Sequence, residues 1–404
     1  MDVINKIAAL SKEADYEVGE DDVKKAWSGG MTDLQPRWNM GNVANSAQKV
    51  KRGLDPSQMP IYQASAGGGV KVPLLKILLT SVCKNNCNYC GCRLGRDFER
   101  FVFQPDELAR AFMMLFEKGS VKGLFLSSAV VRNGVYTQDR LIATAEVLRK
   151  KMGYKGYLHL KIMPGAERDQ IYAAMQLADR VSLNLESPDS ECLKNLAPKK
   201  EFSSELLLRL KWINEIRNNF HKSHGWKGHW PSSTTQFVVG AVEDTDKRLL
   251  KTAAYLHKKL QLRRIYYARF NPVNGTPLEG KTAENPTRIL RLYQADFLLR
   301  DYGFTLNDLS FEKDQGLDLD VDPKLAWAKA NLSHDPIELN QAERSLLMRL
   351  PGIGPKKANK IIDERKRSKI LSLKDLNKIG INAERCAPYV LINGRQPDYQ
   401  LKLW

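Results

Sequence analysis

Four of the six cysteines in the sequence lie within ten residues, and this crowding is its clearest chemical signal. They are Cys83, Cys87, Cys90 and Cys92, which follow a short apolar run that predicts a strand. In a chain kept reduced, thiols so closely spaced bind metal more often than they form disulfides. Structural zinc usually takes two ligand pairs separated by a longer loop, whereas one loop can wrap a 4Fe–4S cluster. The spacing therefore favours an iron–sulfur cluster, and zinc completed by Cys92 is the alternative.

Three cysteine ligands would leave one iron of such a cluster open for substrate. The segment Cys83-Lys-Asn-Asn-Cys87-Asn-Tyr89-Cys90 resembles the CxxxCxΦC signature of the radical S-adenosylmethionine (SAM) superfamily, including its aromatic residue. The resemblance implies that Cys83, Cys87 and Cys90 hold the cluster and that SAM chelates the fourth iron. One-electron reduction then cleaves SAM to a 5'-deoxyadenosyl radical, and the electron comes from a donor such as reduced flavodoxin or ferredoxin.

The elements that must position these cysteines are six short strand-like runs that alternate with helical patterns. The alternation predicts βα units and a parallel sheet, most simply a partial (β/α)6 barrel, with an open doubly wound sheet as the alternative. In a barrel, reactive groups gather at the C-terminal ends of the strands, which is where the cysteines stand. The predicted strands cover 74–80, 123–127, 157–162, 180–185, 234–240 and 264–270, and the predicted helices cover 105–117, 137–151, 168–179, 203–220, 245–260 and 286–301.

The superfamily resemblance also implies residues that bind SAM at the strand ends. Ser127 and Ser128 stand where many members carry a Gly-Gly-Glu motif that recognises the methionine amino group. Polar residues at later strand ends are candidates for the methionine carboxylate, the ribose and the adenine, with ordinary rim positions as the alternative. These candidates are Lys161, Asn184, Glu186, Gln236 and Arg269, joined by location by Tyr267 and Asn271.

A second motif lies near the C-terminal end of the sequence. A helix predicted over 340–350 is followed by Pro351-Gly352-Ile353-Gly354-Pro355 and a second helix over 356–367. The glycines permit a sharp turn that leaves N–H groups at the start of the second helix available to a phosphate oxygen. The run resembles the helix-hairpin-helix motif, which binds nucleic-acid backbone without reading sequence; a hairpin for protein contact is the alternative. The candidate contacts are Gly352, Gly354, Lys356, Lys357 and Lys360.

The overall charge agrees with a polyanionic partner, because 63 lysines and arginines outnumber 46 acidic residues and give a net charge of +17. A solvated basic surface is the alternative interpretation. No apolar run approaches the roughly 20 residues that a membrane span requires, and the first ten residues do not read as a secretory signal. We therefore expect a cytoplasmic protein without membrane contact.

The sequence predicts four regions: an N-terminal helix and irregular cap (1–72), a radical SAM core (73–310), an acidic linker (311–335) and an all-α helix-hairpin-helix domain (336–404). A segment with His221, His224 and His229 beside two tryptophans is predicted to be a solvent-facing insertion, with a metal site or a base-stacking surface as alternatives.

The order of the two modules resembles a narrower family, the putative DNA modification or repair radical SAM proteins with a C-terminal helix-hairpin-helix. Passages such as Leu75-Lys-Ile-Leu-Leu-Thr80 and Leu317-Asp-Leu-Asp-Val-Asp-Pro323 carry this likeness. It implies a radical reaction on DNA and a partner that resembles uracil-DNA glycosylase. RNA is an alternative substrate, since phosphate contacts alone do not distinguish the two polymers. A non-catalytic nucleic-acid-binding protein with a structural metal site is the alternative from another class.

Overall fold

The computed structural model describes residues 3–14, 61–65 and 71–399, and all structural statements concern these ranges. Most of the N-terminal region predicted over 1–72 lies outside them. The described residues form two compact units. The first contains the residues up to 244 together with 255–285, and the second contains 245–254 and 286–399. The domain bounds given by the sequence remain predictions.

The first unit is built on a seven-stranded sheet whose strands are arranged in chain order. The first two strands are antiparallel and the remaining pairs are parallel. A doubly wound sheet would reverse its strand order at a switch point, so the sequential order excludes that alternative. The predicted half-barrel of six parallel strands is confirmed, and β1 is an additional edge strand. The strands are β1 (Ile61–Ser65), β2 (Lys71–Leu78), β3 (Gly123–Ser127), β4 (Tyr157–Lys161), β5 (Arg180–Ser182), β6 (Ser232–Val239) and β7 (Arg264–Arg269).

The two faces of this sheet differ in chemistry because successive side chains alternate between them. Right-handed connections place the helices that join neighbouring parallel strands on one face of the sheet. Fully buried leucines such as Leu75, Leu124 and Leu158 occupy one set of positions. Lys76 and His159 occupy the other set, which therefore lines the inside of the curled sheet.

The helices described up to residue 301 include the six predicted ones, with small shifts at their ends, and also the unpredicted helix Ser190–Leu196. Two predicted helices, 137–151 and 203–220, each include a short π-helical turn, at Val147–Lys151 and Phe202–Leu207. The helices are α1 (Val3–Ala14), α2 (Pro105–Glu117), α3 (Gly134–Glu146), α4 (Arg168–Leu177), α5 (Ser190–Leu196), α6 (Leu208–Asn219), α7 (Asp246–Leu260) and α8 (Pro286–Asp301).

The C-terminal part of the second unit has a hydrophobic core of its own. The interval predicted as an acidic linker contains helix α9, which Asp322 caps through the backbone N–H groups of Lys324 and Leu325. Ala328 and Leu332 of this region are buried in the C-terminal core, so helix α9 belongs to the C-terminal part of the second unit. The other elements are α9 (Pro323–Asn331), β8 (Ile337–Glu338), α10 (Arg344–Leu347), α11 (Pro355–Arg367), α12 (Leu373–Lys378) and β9 (Val390–Leu391).

The helix predicted over 340–350 is shorter in the structure, where only Arg344–Leu347 is helical. The side chain of Asn340 accepts from the backbone N–H of Ile370 at 3.0 Å and donates to its carbonyl at 2.9 Å. Asn340 itself lies in a turn that is closed by a 2.9 Å bond from the N–H of Ala342 to the carbonyl of Glu338. The helix therefore begins only after this turn.

Candidate functional site

The cysteine loop, residues 83–92, follows β2 and is fixed by backbone bonds to neighbouring elements. The N–H of Lys84 donates to the carbonyl of Val130 beyond β3 at 2.9 Å. The N–H of Asn88 donates to the carbonyl of Leu196 at the end of α5 at 2.8 Å. The loop is thus tied to the C-terminal side of the sheet from two directions.

Arg100 organises the same loop from its far end. Its guanidinium group donates four hydrogen bonds of 2.7–3.1 Å to the carbonyl oxygens of Ser81, Cys92, Arg93 and Arg96. A planar guanidinium presents several donors in a fixed fork, which suits it to gather carbonyls from a curved segment. Arg100 is therefore a positioning residue for the loop, and no motif in the sequence singles it out.

The thiols of Cys83, Cys87 and Cys90 lie close enough to act on one another electrostatically. Burial raises the pKa of Cys83, and it raises the pKa of Cys87 to about 12, with the neighbouring thiols adding to both. Without a compensating charge, Cys83 and Cys87 would be neutral thiols at pH 7. A bound metal supplies that charge and deprotonates a coordinating thiol.

Cys92 contacts the loop's third candidate ligand. A hydrogen bond between their side chains lowers the pKa of Cys90 and raises that of Cys92. The thiol of Cys92 also lies 3.7 Å from a carboxylate oxygen of Glu13 in α1. Cys92 is thus placed to support the sulfur of Cys90.

The three neighbouring thiols offer the donors that a 4Fe–4S cluster takes. No group of three or more His, Cys, Asp or Glu side chains in the described ranges is arranged to hold a single metal ion. Zinc ligands must converge on one point, about 2.0–2.3 Å from each donor. A 4Fe–4S cube presents a separate iron to each thiolate, so its three ligands surround a wider space.

Glu186 and Lys200 form a buried ion pair beside the cysteines. Lys200 Nζ lies 2.9 Å from Glu186 Oε1, and both side chains are at least nine-tenths buried. Burial alone would lower the pKa of Lys200, but Glu186 and Cys87 raise it above its ordinary value. The Lys200 charge in turn lowers the pKa of the cysteine thiols and so favours their thiolates.

Glu186 itself adopts an uncommon backbone conformation, with φ of +67°. Bonds to β6 hold it there, because its N–H donates to the carbonyl of Gln236 and its carbonyl accepts from Val238. Oε2 of Glu186 is buried and makes no hydrogen bond of ordinary geometry, and the hydroxyl of Tyr89 lies beside the same carboxylate. A carboxylate oxygen left in this state fits a ligand that carries a hydroxyl or amino group.

The structure brings four of the predicted SAM-binding residues to the inner face of the sheet: Ser127, Lys161, Asn184 and Gln236. Lys161 Nζ donates to Asn184 Oδ1 at 2.6 Å. Ser128 follows β3, and its hydroxyl donates to the carbonyl of Ala129.

Arg269 is not brought to that face. Gln236 is paired with Tyr266, and Arg269, three residues further along β7, points to the opposite side. Its Nε donates to the carbonyl of Glu284. Tyr267 shares this outer face and is fully buried, whereas Asn271 is exposed beyond the strand.

The histidine segment forms no metal site within the described ranges. His221, His224 and His229 are exposed, as the predicted insertion requires. His224 Nδ1 is hydrogen-bonded to the hydroxyl of Tyr172 at 2.6 Å.

The hairpin of the second unit has the predicted form. Gly352 has φ of +77°, and Pro355 begins α11 directly after Gly354. Helix α11 has no side-chain cap, so the N–H groups of its first turn, including those of Lys356 and Lys357, lack intrahelical partners. These donors and the positive helix end form a site suited to a phosphate oxygen.

Lysine side chains hold the hairpin from within. Lys357 Nζ donates to the carbonyl of Gly352 at 2.9 Å, and Lys324 Nζ donates to that of Ile353. Burial lowers the pKa of Lys324 to about 7. Lys360 Nζ donates to the carbonyl of Ile379 at 2.9 Å, at the turn that follows α12.

Comparisons with known proteins bear on both units. Residues 77–256 match the sequence model of the radical SAM superfamily, and residues 333–389 match that of the helix-hairpin-helix motif. The match covers most of the predicted radical SAM core, and members of this superfamily use the two predicted cofactors, a 4Fe–4S cluster and SAM.

Solved structures similar to this chain have low sequence identity to it. They include the FeFe-hydrogenase maturase HydG from Carboxydothermus hydrogenoformans (16% identity, 56% of this chain and 51% of that chain covered, TM-score 0.43). Methylornithine synthase PylB matches at 14% identity over 69% of this chain and 68% of its own, with a TM-score of 0.42. The radical SAM methyltransferase TsrM from Kitasatospora setae matches at 11% over 50% and 38%, with a TM-score of 0.35.

This chain therefore spans about half the length of the HydG structures that it matches. No curated protein matches it. The helices of the described ranges include none with the length and apolar character needed to cross a membrane.

Proposed function

We propose that this protein is a radical SAM enzyme that acts on a nucleotide of DNA, in modification or repair. The observation that carries the proposal is the union, in one chain, of a radical SAM domain with a helix-hairpin-helix module. The first supplies radical chemistry, and the second supplies a backbone-binding hairpin with available amide donors.

In this proposal Cys83, Cys87 and Cys90 hold the cluster, and Arg100 keeps their loop in place. A reduced cluster with SAM bound supplies a 5'-deoxyadenosyl radical. Lys200 balances the negative charge of the thiolates. The remaining oxygen of Glu186 accepts a hydrogen bond from SAM.

Around this centre, Ser127, Ser128, Lys161, Asn184 and Gln236 supply further polar contacts to SAM. Arg269, predicted from its position at a strand end, would act only through the backbone that it anchors at Glu284. The electron would come from a reduced flavodoxin or ferredoxin. The proposed partner that resembles uracil-DNA glycosylase depends on the family resemblance alone.

The hairpin contributes Gly352 and Gly354 for close approach of the backbone, and Lys356, Lys357 and Lys360 for charge. Such contacts are largely independent of sequence and weaken as salt rises. They serve DNA and RNA alike, so an RNA-modifying enzyme is the second candidate.

The test is anaerobic reconstitution followed by reduction in the presence of SAM and either duplex DNA or RNA of the same sequence. We expect release of 5'-deoxyadenosine, loss of that release in Cys83→Ala, and a new or lost nucleoside signal in the DNA digested for mass spectrometry. Cys386→Ala, which changes a buried cysteine of the second unit, is the matched control. Release that survives Cys83→Ala contradicts the radical mechanism, and changes confined to RNA contradict the DNA assignment.

A further inference from the structure

The inner face of the half-barrel is basic. Strands β2–β7 contain no aspartate or glutamate, while four of these six strands carry lysine or arginine. An interior lined by charges of one sign concentrates ligands of the opposite charge, because its low-dielectric walls focus the electric field. The composition of the strands thus points to an anionic ligand inside the sheet.

Four side chains of this face stand in one row. Lys76 is paired with Phe125, Phe125 with His159, and His159 with Arg180, so the four lie side by side across β2–β5. The rings of Phe125 and His159 are parallel, with centroids 4.0 Å apart and an interplanar angle of 5°. The stack confirms that these neighbours share a face. We call these four residues the basic row.

Three neighbouring cations, two of them in the basic row, act together on its histidine. His159 is buried, and its pKa is well below the ordinary value because of burial and because of the charges of Arg180, Lys161 and Lys76. Its Nε2 is hydrogen-bonded to Ser182 Oγ at 2.8 Å. The imidazole is therefore neutral at pH 7 and offers a flat ring between cations.

The basic row also lies deeper in the half-barrel than the proposed SAM contacts at the C-terminal ends of the strands. Lys161 stands two residues beyond His159 along β4, which is about 7 Å nearer the C-terminal end of the strands. That end carries the cysteine loop and the proposed SAM contacts. A ligand on the basic row would thus lie below the radical source and inside the sheet.

We propose that the basic row binds the substrate nucleotide, with its phosphate on Lys76 and Arg180 and its base against the Phe125–His159 stack. The inference rests on the proposed function and names the substrate unit: a single nucleotide taken out of the polymer. Enzymes that do chemistry on a base inside a duplex must first extrude it into a pocket. A cation beside stacked rings provides contacts for both parts of such a unit.

The experiment is calorimetric titration of the full-length reconstituted protein with 2'-deoxynucleoside 5'-monophosphates, the matching nucleosides and inorganic phosphate. We expect at least one monophosphate to bind more tightly than its nucleoside or phosphate alone. Lys76→Met should weaken that binding about tenfold or more, since it removes a charged hydrogen bond. Lys76→Arg should retain most of the affinity. Lys118→Met, a change at an exposed lysine after α2, should leave it unchanged.

Equal affinity for the nucleoside and its monophosphate would overturn the proposal, as would wild-type affinity in a folded Lys76→Met protein. If Lys76→Met does not fold, Arg180→Met and the wild-type comparison decide. Failure of this inference would leave 5'-deoxyadenosine release and hairpin-dependent DNA binding intact. Failure of the proposed function would instead appear as absent release in the wild-type protein.

Discussion

Replacing Arg100 with alanine should destabilise the cluster without touching a ligand. The change removes four hydrogen bonds that gather the carbonyls of residues 81, 92, 93 and 96 around one guanidinium group. A hydrogen bond from a charged donor is worth roughly 1.5–3 kcal/mol, and part of this is recovered by water at a half-buried site. Loss of an outer group that orients ligands typically costs about 10- to 100-fold in metal affinity.

The assay is the rate at which a strong iron chelator removes iron from the reconstituted protein, followed by absorbance. We expect Arg100→Ala to lose iron about 10- to 100-fold faster, in line with that range. Arg100→Lys should also lose iron faster, because one ammonium cannot span four carbonyls. Arg110→Ala, at an exposed arginine of α2, is the control. Wild-type iron loss in a folded Arg100→Ala protein would refute the role assigned to this arginine.

Three further predictions follow from the ion pair, the buried lysine and the hairpin. Lys200→Met should lower stability by about 3–5 kcal/mol because it leaves Glu186 charged and buried, and a Lys200→Met/Glu186→Gln double variant should recover part of that loss in thermal unfolding. The pKa of Lys324 in the folded protein is about 7, below its ordinary value, so above pH 7 the unfolded chain binds more protons than the folded protein. The free energy of unfolding should therefore rise from pH 7 to 9 by up to about 1.4 kcal/mol per pH unit. Urea titrations of Lys324→Met should not show this rise. Lys356→Ala should reduce the slope of log Kd for DNA against log salt by about one, whereas Gly352→Ala should weaken binding mainly by straining the left-handed turn. An unchanged slope, a flat wild-type pH profile or a double variant no better than the single one would each contradict the corresponding prediction.

The parallel sheet and the cysteine loop could be predicted from the sequence because their signals are local. Apolar strand-like runs alternate with helical periods, and four cysteines crowd behind the first run. The hairpin is equally local, since Gly352 must adopt φ of +77° and Pro355 must open a helix.

Other features depend on contacts between distant parts of the chain. The Glu186–Lys200 pair joins residues that no motif links, and the bonds from Arg100 depend on how its loop folds back. The face occupied by Arg269 follows from the register of β6 and β7, which spacing along the sequence did not fix. Helix α9 was not predicted because the acidic residues before it indicated a linker. The buried positions of Ala328 and Leu332 in the C-terminal core become evident only in the structure.

The three-cysteine cluster with an open iron is tested by the electron paramagnetic resonance spectrum of the reduced, reconstituted protein, recorded with and without SAM. A cluster held by Cys83, Cys87 and Cys90 has one open iron, so its signal should shift when SAM binds. Protein that carries only zinc, or a cluster signal that SAM leaves unchanged, would contradict it.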